Sequence, residues 1–472
     1  MRTLLSVKID AITDRHRSKR DFILHDNLWS VIILIGLPLV FYNGLSQVFS
    51  FIDTLIAASM GPRIVSIISF ISQIQLLFTT LSAGIGLGGG ILIGRAIGEH
   101  NTEKEYRLIV TLSMMIGLLI LLTVGLAIPL APWILWFFKM PADLFEPGLI
   151  MFRIELSGLV FVFLNSLYFA IQRARGYTGK IFSWNLLILS LKLTITLFLV
   201  YVLDIGPISL SVASFIAQGL VALLAVGIFF VHEGASFKTI IQKHKTGFTE
   251  CKEIIHLSLP VFLEKFIFNY GKAVVNGMSA IYGSMAIGAL GVSNRIGGLV
   301  TMPPIGFQEA EATIISQNLG NKNYRRAFDT FKVTCMINIV LGIFFFIAMS
   351  IFKNDLIQLF SKGDPLFSQE IAKVYNYERY ASILLAISSS VMGLLYGFGY
   401  TRLSMLLNLL RLFVFRIPPL WYFQHFTNMK TEGLGIAMMI SNMMMGISAI
   451  VGALFIIQRW RKGLIRTSHN KK

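Results

Sequence analysis

Charged side chains are scarce in this sequence of 472 residues, where Asp, Glu, Lys and Arg together make up 14% of the chain. Soluble globular proteins carry about 25% charged residues, so an ordinary soluble protein is excluded. Cysteine is also rare: Cys251 lies in a basic stretch and Cys335 in an apolar run, so we expect no structural disulfide. Hydrophobic residues account for 55% of the chain, which excludes a disordered or collagen-like protein and indicates a helical protein with many membrane spans.

Twelve apolar segments follow one another along the chain. Each is long enough to be a membrane helix, which needs about 20 residues to cross a bilayer. Their approximate limits are 29–58, 64–94, 108–137, 154–170, 185–202, 209–231, 254–282, 287–317, 333–351, 377–397, 405–423 and 433–456. The pattern predicts an all-α polytopic membrane protein with twelve transmembrane helices.

The formal net charge of +17 is distributed unevenly between the loops. If the N-terminus is cytoplasmic, the cytoplasmic loops and termini hold 27 Lys and Arg residues and the outer loops hold 7. Cytoplasmic loops of membrane proteins carry an excess of Lys and Arg, so both termini are expected in the cytoplasm. The basic segments 1–28 and 457–472 orient the chain and contact anionic lipid headgroups, and no nucleic-acid partner is expected.

The second half of the chain repeats the first. At an offset of 222 residues, 13 of the 71 positions from 31 to 101 are identical without a gap, and Gly176-Tyr-Thr178 matches Gly399-Tyr-Thr401 at an offset of 223. This predicts two six-helix lobes, 29–231 and 254–456, joined by a cytoplasmic loop at 232–253. Since each lobe starts on the same side of the membrane, the repeats are parallel. Transporters built this way bind substrate between the lobes, which rock around the site.

Several motifs occur in a fixed order. The eighth span contains MPPIGFQ at 302–308 and continues to SQNLGNKN at 316–323. Span one contains IGLP at 35–38, and RARGYT follows span four at 173–178. In order, spacing and duplication, these segments resemble the multidrug and toxic compound extrusion (MATE) family over residues 29 to 457.

This resemblance implies an antiporter that exports amphipathic, often cationic compounds in exchange for inward H⁺ or Na⁺, with Asp53 taking part in cation coupling. Many sodium-coupled members carry a carboxylate where this chain has Phe268, whereas here Glu264 follows Pro260 by four residues. The middle of span ten also offers only Ser388, Ser389 and Ser390. These departures favour H⁺ over Na⁺ as the coupling ion and Glu264 as a second coupling residue.

The same resemblance places the protein in the bacterial inner (plasma) membrane. We expect a monomer that needs no cofactor beyond its coupling ion. The histidines form no ligand-like pair on one helix, no converging catalytic set is evident and no Walker motif is present, so we expect neither a metal site nor an enzyme.

Polar residues inside the spans predict the lining of a substrate cavity, because a charge near the bilayer centre costs about 3 kcal/mol and needs a partner or a role. In span one, Asn43 and Gln47 share a face with Asp53 at its edge. Asp53 either exchanges the coupling ion or meets water near the outer end of the span.

Span seven carries a continuous polar stripe at helical spacing. Asn269, Lys272 and Asn276 belong to it, and Lys272 lies too deep to reach the interface easily. Lys265 is near enough to the cytoplasmic end for its side chain to extend to the interface. Glu264 lies to one side of the stripe, where it couples or orders the substrate unless it also reaches the interface.

Span eight adds Arg295, Gln308 and Glu309 to the predicted cavity. Arg295 pairs either with a carboxylate such as Asp53 or Glu264, or with a substrate anion. Glu309 and Glu311 are two residues apart and cannot share one face, and the sequence does not decide which of them lines the cavity.

Arg411 in span eleven completes the candidate cavity residues, with a packing or gating pair as the alternative role. Proline removes a backbone donor and bends a helix, so Pro38, Pro260, Pro303 and Pro304 are predicted hinges. A second function stays open: Lys265, Lys272, Arg295 and Arg411 also suit a flippase for a lipid-linked oligosaccharide or another anionic amphiphile.

Overall fold

The computed structural model describes residues 19–243, 248–361 and 364–462, and this part of the chain is helical and contains no strand. The all-α class predicted from the sequence is confirmed. The predicted basic N-terminal segment up to residue 18 and the predicted tail from residue 463 lie outside the described residues.

A short helix α1, described from 19 to 25, precedes the spans. The other α-helices are α2 (Leu28–Ser59), α3 (Pro62–Gly98), α4 (Thr102–Leu122), α5 (Ala131–Phe137), α6 (Ala142–Ala174), α7 (Thr178–Tyr201), α8 (Ile208–Lys243), α9 (Phe248–Ser279), α10 (Ser284–Gly320), α11 (Tyr324–Ile351), α12 (Lys353–Ser361), α13 (Pro365–Glu378), α14 (Ser382–Phe398), α15 (Thr401–Phe413), α16 (Ile417–Phe426) and α17 (Thr431–Arg461).

Ten stretches among the described residues are long and apolar enough to cross a membrane. The predicted spans seven and eight correspond to α9 and α10, which have 32 and 37 residues and so exceed the length a bilayer requires. Each of the two carries three charged side chains within its predicted limits, which lower its mean hydropathy: Glu264, Lys265 and Lys272 in α9, and Arg295, Glu309 and Glu311 in α10.

Several helices differ from their predicted limits. The predicted span 108–137 divides into α4, a π-helical turn at Thr123–Ala127 and the separate α5. Span eleven breaks between α15 and α16, where Pro418 and Pro419 stand at the start of the new helix and cannot continue the old one. The helix α8 continues to Lys243, so the backbone of the predicted inter-lobe loop is helical over 232–243.

The described residues form two compact units. Unit 1 comprises those up to Phe262 together with Ser316–Asn323, and unit 2 comprises Leu263–Ile315 and those from Tyr324 onward. Each unit has its own apolar core: Ile67 and Phe152 belong to that of unit 1, and the core of unit 2 includes Val374 and Leu434. The lobe limits given by the sequence stay a prediction.

The repeat is visible in the backbone. The helices α3 and α10 both have 37 residues and begin 222 residues apart. Each is preceded by a glycine with positive φ, 111° at Gly61 and 95° at Gly283. Gly176 and Gly399, at the offset of 223, have φ values of 78° and 79°. Since only glycine adopts such angles without strain, the two halves use the same turns at matching positions.

Close helix packing in unit 2 makes one glycine testable. A Cβ atom at Gly435 in α17 would lie 2.7 Å from the carbonyl oxygen of Val374 in α13, which is backbone and cannot move aside. We expect Gly435→Ala to lower the apparent melting temperature of the purified protein in detergent, because overpacking costs about 1–3 kcal/mol. Gly452→Ala on the same helix is the control, since its Cβ would meet only leucine side chains at 3.9 Å and 4.0 Å. Equal melting temperatures for the two variants would contradict the packing described here.

Candidate functional site

In unit 1, Asp53 forms an ion pair with a lysine that the sequence does not link to it. Its Oδ2 lies 2.5 Å from Nζ of Lys192, which joins α2 to α7. Both side chains are 24% exposed, so the pair is neither sealed in the core nor surrounded by water. The predicted alternatives for Asp53 were ion exchange or simple hydration, and the structure adds a fixed partner in the same unit.

A second carboxylate, Glu155 in α6, lies beside this pair. Its Oε2 accepts a hydrogen bond from Nε2 of Gln75 at 2.9 Å, and it is also hydrogen-bonded to Ser211. Lys192 and Asp53 are both near enough to act on its charge. We call these five residues the Asp53 cluster; it contains two carboxyl groups and one ammonium group.

Sequence reasoning missed Glu155 because the apolar segment that predicts span four begins at 154, which puts this residue at the edge of the membrane. The helix α6 begins at Ala142, so Glu155 lies thirteen residues inside it. Of the other predicted residues in span one, Gln47 is exposed and Asn43 is half-buried. The amide nitrogen of Asn43 is buried and has no hydrogen-bond partner among the described residues.

In unit 2, Glu264 is 7% exposed and has three hydrogen-bond donors from two helices. Its Oε1 accepts from the hydroxyl of Tyr396 at 2.7 Å and from Nδ2 of Asn408 at 2.9 Å. Its Oε2 accepts from Oγ of Ser404 at 2.7 Å. These four residues form the Glu264 cluster, in which every donor is neutral. The carboxyl group is therefore held inside unit 2 and does not extend to the interface.

A third cluster surrounds Phe268, one turn further along α9. Nζ of Lys272 lies 5.0 Å from the centroid of the Phe268 ring, and Cζ of Arg411 and of Arg416 lie 4.9 Å and 5.9 Å from it. These distances suit cation–π contacts. Glu378 is close enough to all three cations to act on their charge. We call these five residues the Phe268 cluster.

Neutral side chains of α17 hold the two arginines. Oδ1 of Asn442 accepts from Nη2 of Arg411 at 2.6 Å and from Nη2 of Arg416 at 2.8 Å. Oγ of Ser441 accepts from Nε of Arg416 at 2.9 Å. The carboxylate of Glu378 accepts a hydrogen bond from Ser293. Arg411 thus has the packing partner that the sequence offered as one of its two roles.

Glu378 corrects the expectation that the middle of span ten lacks an acidic residue. The span is continuous from 365 to 398 and is not limited to 377–397, so Glu378 lies thirteen residues after its start at Pro365. The first half of the span, α13, is amphipathic, so a search for apolar segments places the start of the span too late. At the offset of 223, Glu378 is the repeat partner of Glu155, which also lies thirteen residues into its helix.

The remaining predicted cavity residues of unit 2 are dispersed. Asn276 and Arg295 are exposed, while Asn269, Gln308 and Glu309 are half-buried. Within unit 2, Arg295 forms no ion pair with a described residue, so the predicted pairing with Glu264 does not occur, and the pairing with Asp53 stays a prediction. The sequence left open which acidic residue of span eight is accessible, and the structure shows Glu311 as the buried one, packed against Gly393.

The predicted hinge prolines lie inside helices. Pro38 lies within α2, Pro260 within α9, and Pro303 and Pro304 within α10, and the helical assignment continues through all four. Their role as hinges stays a prediction. Within the described ranges, no three His, Cys, Asp or Glu side chains converge as ligands for a metal ion.

Proteins of similar sequence are named multidrug resistance proteins or transporters. The chain is 21% identical over 424 residues to the probable multidrug resistance protein YoeA of Bacillus subtilis, which covers 87% of this chain and 90% of that protein. It is 23% identical over 436 residues to the FAD transporter of Shewanella oneidensis, covering 85% of this chain and 88% of that protein.

The fold is similar to that of solved transporters. A MOP superfamily transporter from Pyrococcus furiosus, whose structure title describes a binding pocket of reverse polarity, matches with a TM-score of 0.87 at 16% identity, over 93% of this chain and 98% of that chain. The twelve-helix, two-repeat architecture predicted from the sequence is thereby confirmed.

The model of one protein family, MatE, matches the chain twice, at residues 38–202 and 260–422. The two matches begin at Pro38 and Pro260, which are 222 residues apart, the same offset that the sequence and the backbone show. Together they cover more than half of the chain. The chain therefore belongs to the MatE family of membrane transporters.

Proposed function

We propose that this protein exports amphipathic organic compounds across the plasma membrane in exchange for inward-moving protons. The observation that carries the proposal is the Glu264 cluster: a buried carboxyl group inside a membrane helix whose hydrogen-bond donors are all neutral. Such a group takes up and releases a proton without breaking an ion pair. Because its charge is expensive inside the membrane, its protonation is sensitive to whether water reaches it.

The Asp53 cluster supports a second proton site in unit 1. With both carboxyl groups ionised, Asp53 and Glu155 share the single positive charge of Lys192, and the cluster has a net charge of −1. One added proton makes the cluster neutral, and Lys192 can then pair with the carboxylate that remains. This arrangement fits the exchange of one proton better than a closed salt bridge, which has no net charge to titrate.

The surroundings of Phe268 favour H⁺ over Na⁺. This residue occupies the place where many sodium-coupled members of the family carry a carboxylate, and three cationic side chains lie within 6 Å of its ring centroid. A sodium ion would be repelled there by the local positive charge. Glu378 offsets only part of that charge, since it is one carboxylate against three cations.

The names of relatives support the substrate class. A relative from Bacillus subtilis is named a probable multidrug resistance protein and one from Staphylococcus haemolyticus a multidrug export protein, whereas one from Shewanella oneidensis is named an FAD transporter. We therefore propose small organic substrates of mixed polarity, released on the outer side by a monomer whose termini are cytoplasmic.

Alternating access provides the cycle. The outward-open state takes up a proton and releases substrate, and the inward-open state releases the proton and binds substrate. Coupling requires only that proton and substrate bind the two states with different affinities. No cofactor and no chemical step on the substrate is needed.

The first test neutralises Asp53. We expect Asp53→Asn to reduce proton-driven export of ethidium from proteoliposomes roughly tenfold or more, because the asparagine amide cannot carry the exchanged proton. The measurement is dye export under an imposed pH gradient and, separately, under a sodium gradient.

Asp204→Asn is the matched control for this substitution. Asp204 is exposed in the loop between α7 and α8, and its φ of 49° is one that asparagine adopts readily. Export by Asp53→Asn at the rate of the control would contradict the coupling role of Asp53. Export driven by sodium alone would contradict the choice of ion.

The second test replaces Glu264 by glutamine. The oxygen of glutamine still accepts from Tyr396 and Asn408, and its amide donates to Ser404, whose hydroxyl can keep its bond to the carbonyl of Thr401 at 2.8 Å. We therefore expect Glu264→Gln to fold and to bind ethidium, but to lose the dependence of export on the pH gradient. Size-exclusion profiles and export rates at several gradients measure both properties.

Glu432→Gln controls for the loss of one carboxylate, because Glu432 is exposed in the first turn of α17. Tyr396→Phe removes one donor while keeping the carboxyl group, so export should weaken several-fold and still follow the gradient. An unchanged gradient dependence in Glu264→Gln would refute the role of this residue in coupling.

A further inference from the structure

The Phe268 cluster contains more positive than negative charge. Lys272, Arg411 and Arg416 carry three positive charges around one ring, and among the described residues Glu378 is the carboxylate close enough to act on all three. A guanidinium or ammonium group away from water is stable only when it is paired and hydrogen-bonded. Two of these three charges therefore have no counter-charge within the cluster.

The partners that hold the arginines do not neutralise them. Asn442 is 2% exposed, and its one amide oxygen accepts from both Arg411 and Arg416. Asn442 and Ser441 orient the guanidinium groups but contribute no negative charge. In addition, Nε of Arg411 is buried and has no hydrogen-bond partner among the described residues. One donor of a positioned guanidinium is thus left for a ligand.

The cluster is open at one end. Arg416 is 3% exposed, Arg411 is half-buried and Lys272 is exposed, so accessibility increases from the anchored arginine to the lysine. An anionic group arriving on the side of Lys272 meets the exposed ammonium group first and the hydrogen-bonded guanidinium of Arg411 behind it. Phe268 is itself half-buried and offers apolar surface next to these charges.

We propose that the Phe268 cluster binds the anionic group of an amphipathic substrate, a phosphate or carboxylate attached to an aromatic or aliphatic body. Lys272 and Arg411 contact the oxyanion, Arg416 supplies charge from the core, and Phe268 contacts the body. The inference deepens the proposed export function and rests on it for the direction of movement. The binding site itself stands on the geometry of unit 2.

A matched pair of fluorescent probes tests this proposal. Flavin mononucleotide and riboflavin share the same ring system and differ by one phosphate group. We expect the full-length protein in phosphatidylcholine nanodiscs to bind flavin mononucleotide roughly tenfold or more tightly than riboflavin, because only the phosphate can accept charge-assisted hydrogen bonds from Lys272 and Arg411. Fluorescence anisotropy gives both dissociation constants.

Substitutions of Lys272 assign that preference to the cluster. Lys272→Gln should reduce the preference for the phosphate to roughly threefold or less, and Lys272→Arg should restore it. Lys332→Gln is the control, since it removes one positive charge from an exposed side chain of unit 2 that pairs with Asp329. Equal binding of the two flavins by the unaltered protein, or a preference untouched by Lys272→Gln, would overturn the proposal.

Two further measurements show whether the bound anion is a lipid headgroup or a water-soluble compound, and whether the protein exports a dye. Nanodiscs containing phosphatidylglycerol will weaken flavin mononucleotide binding if a lipid headgroup is the occupant, and will leave it unchanged if the ligand is a water-soluble anion. Export of ethidium under a pH gradient reports on transport separately. If the protein exports ethidium but binds the two flavins equally, the proposed anion site is refuted and the proposed export function is not. If it prefers flavin mononucleotide but shows no gradient-driven export of ethidium, the proposed export function is refuted and the anion site is not.

Discussion

The cost of placing a charge inside a membrane is the constraint on which the interior of this protein depends. An ionisable side chain within a span is stabilised by a partner, because neither lipid nor the apolar cores can solvate it. Asp53 meets this constraint with Lys192, and Glu264 meets it with three neutral donors. The arginines near Phe268 have hydrogen-bond partners but too few negative charges to balance them, and for this reason we propose a function for that cluster.

The Asp53 cluster in unit 1 and the Phe268 cluster in unit 2 have net charges of opposite sign. In unit 1 two carboxyl groups share one lysine, whereas in unit 2 three cations share one glutamate. An excess of negative charge suits the uptake of a proton, and an excess of positive charge suits the binding of an anion. An anion bound in the Phe268 cluster would therefore use other side chains than a proton bound in the Asp53 cluster, and the two would not compete for the same groups.

Much of this fold could be predicted from the sequence, because it is written in local patterns. Apolar length predicts spans, and the recurrence of Gly61 at Gly283 predicts a repeat that the backbone then displays at the same positions.

The candidate site could be predicted only in part. Lys272 and Glu264 stood out as polar residues within apolar runs, but Glu155 and Glu378 did not, since their helices begin with amphipathic turns that an apolar window leaves out. Partnerships such as Asp53 with Lys192 join residues 139 positions apart, and helical periodicity carries no information about them.

The equivalence of Glu155 and Glu378 shows what covalent fusion of two similar halves permits. In a symmetric homodimer every substitution occurs twice, so a lysine introduced beside one carboxylate would be introduced beside the other as well. Once both halves lie on one polypeptide, the neighbours of each glutamate can change independently while the backbone that positions them stays the same. Glu155 lies beside one lysine and one carboxylate, whereas its repeat partner Glu378 lies beside three cations.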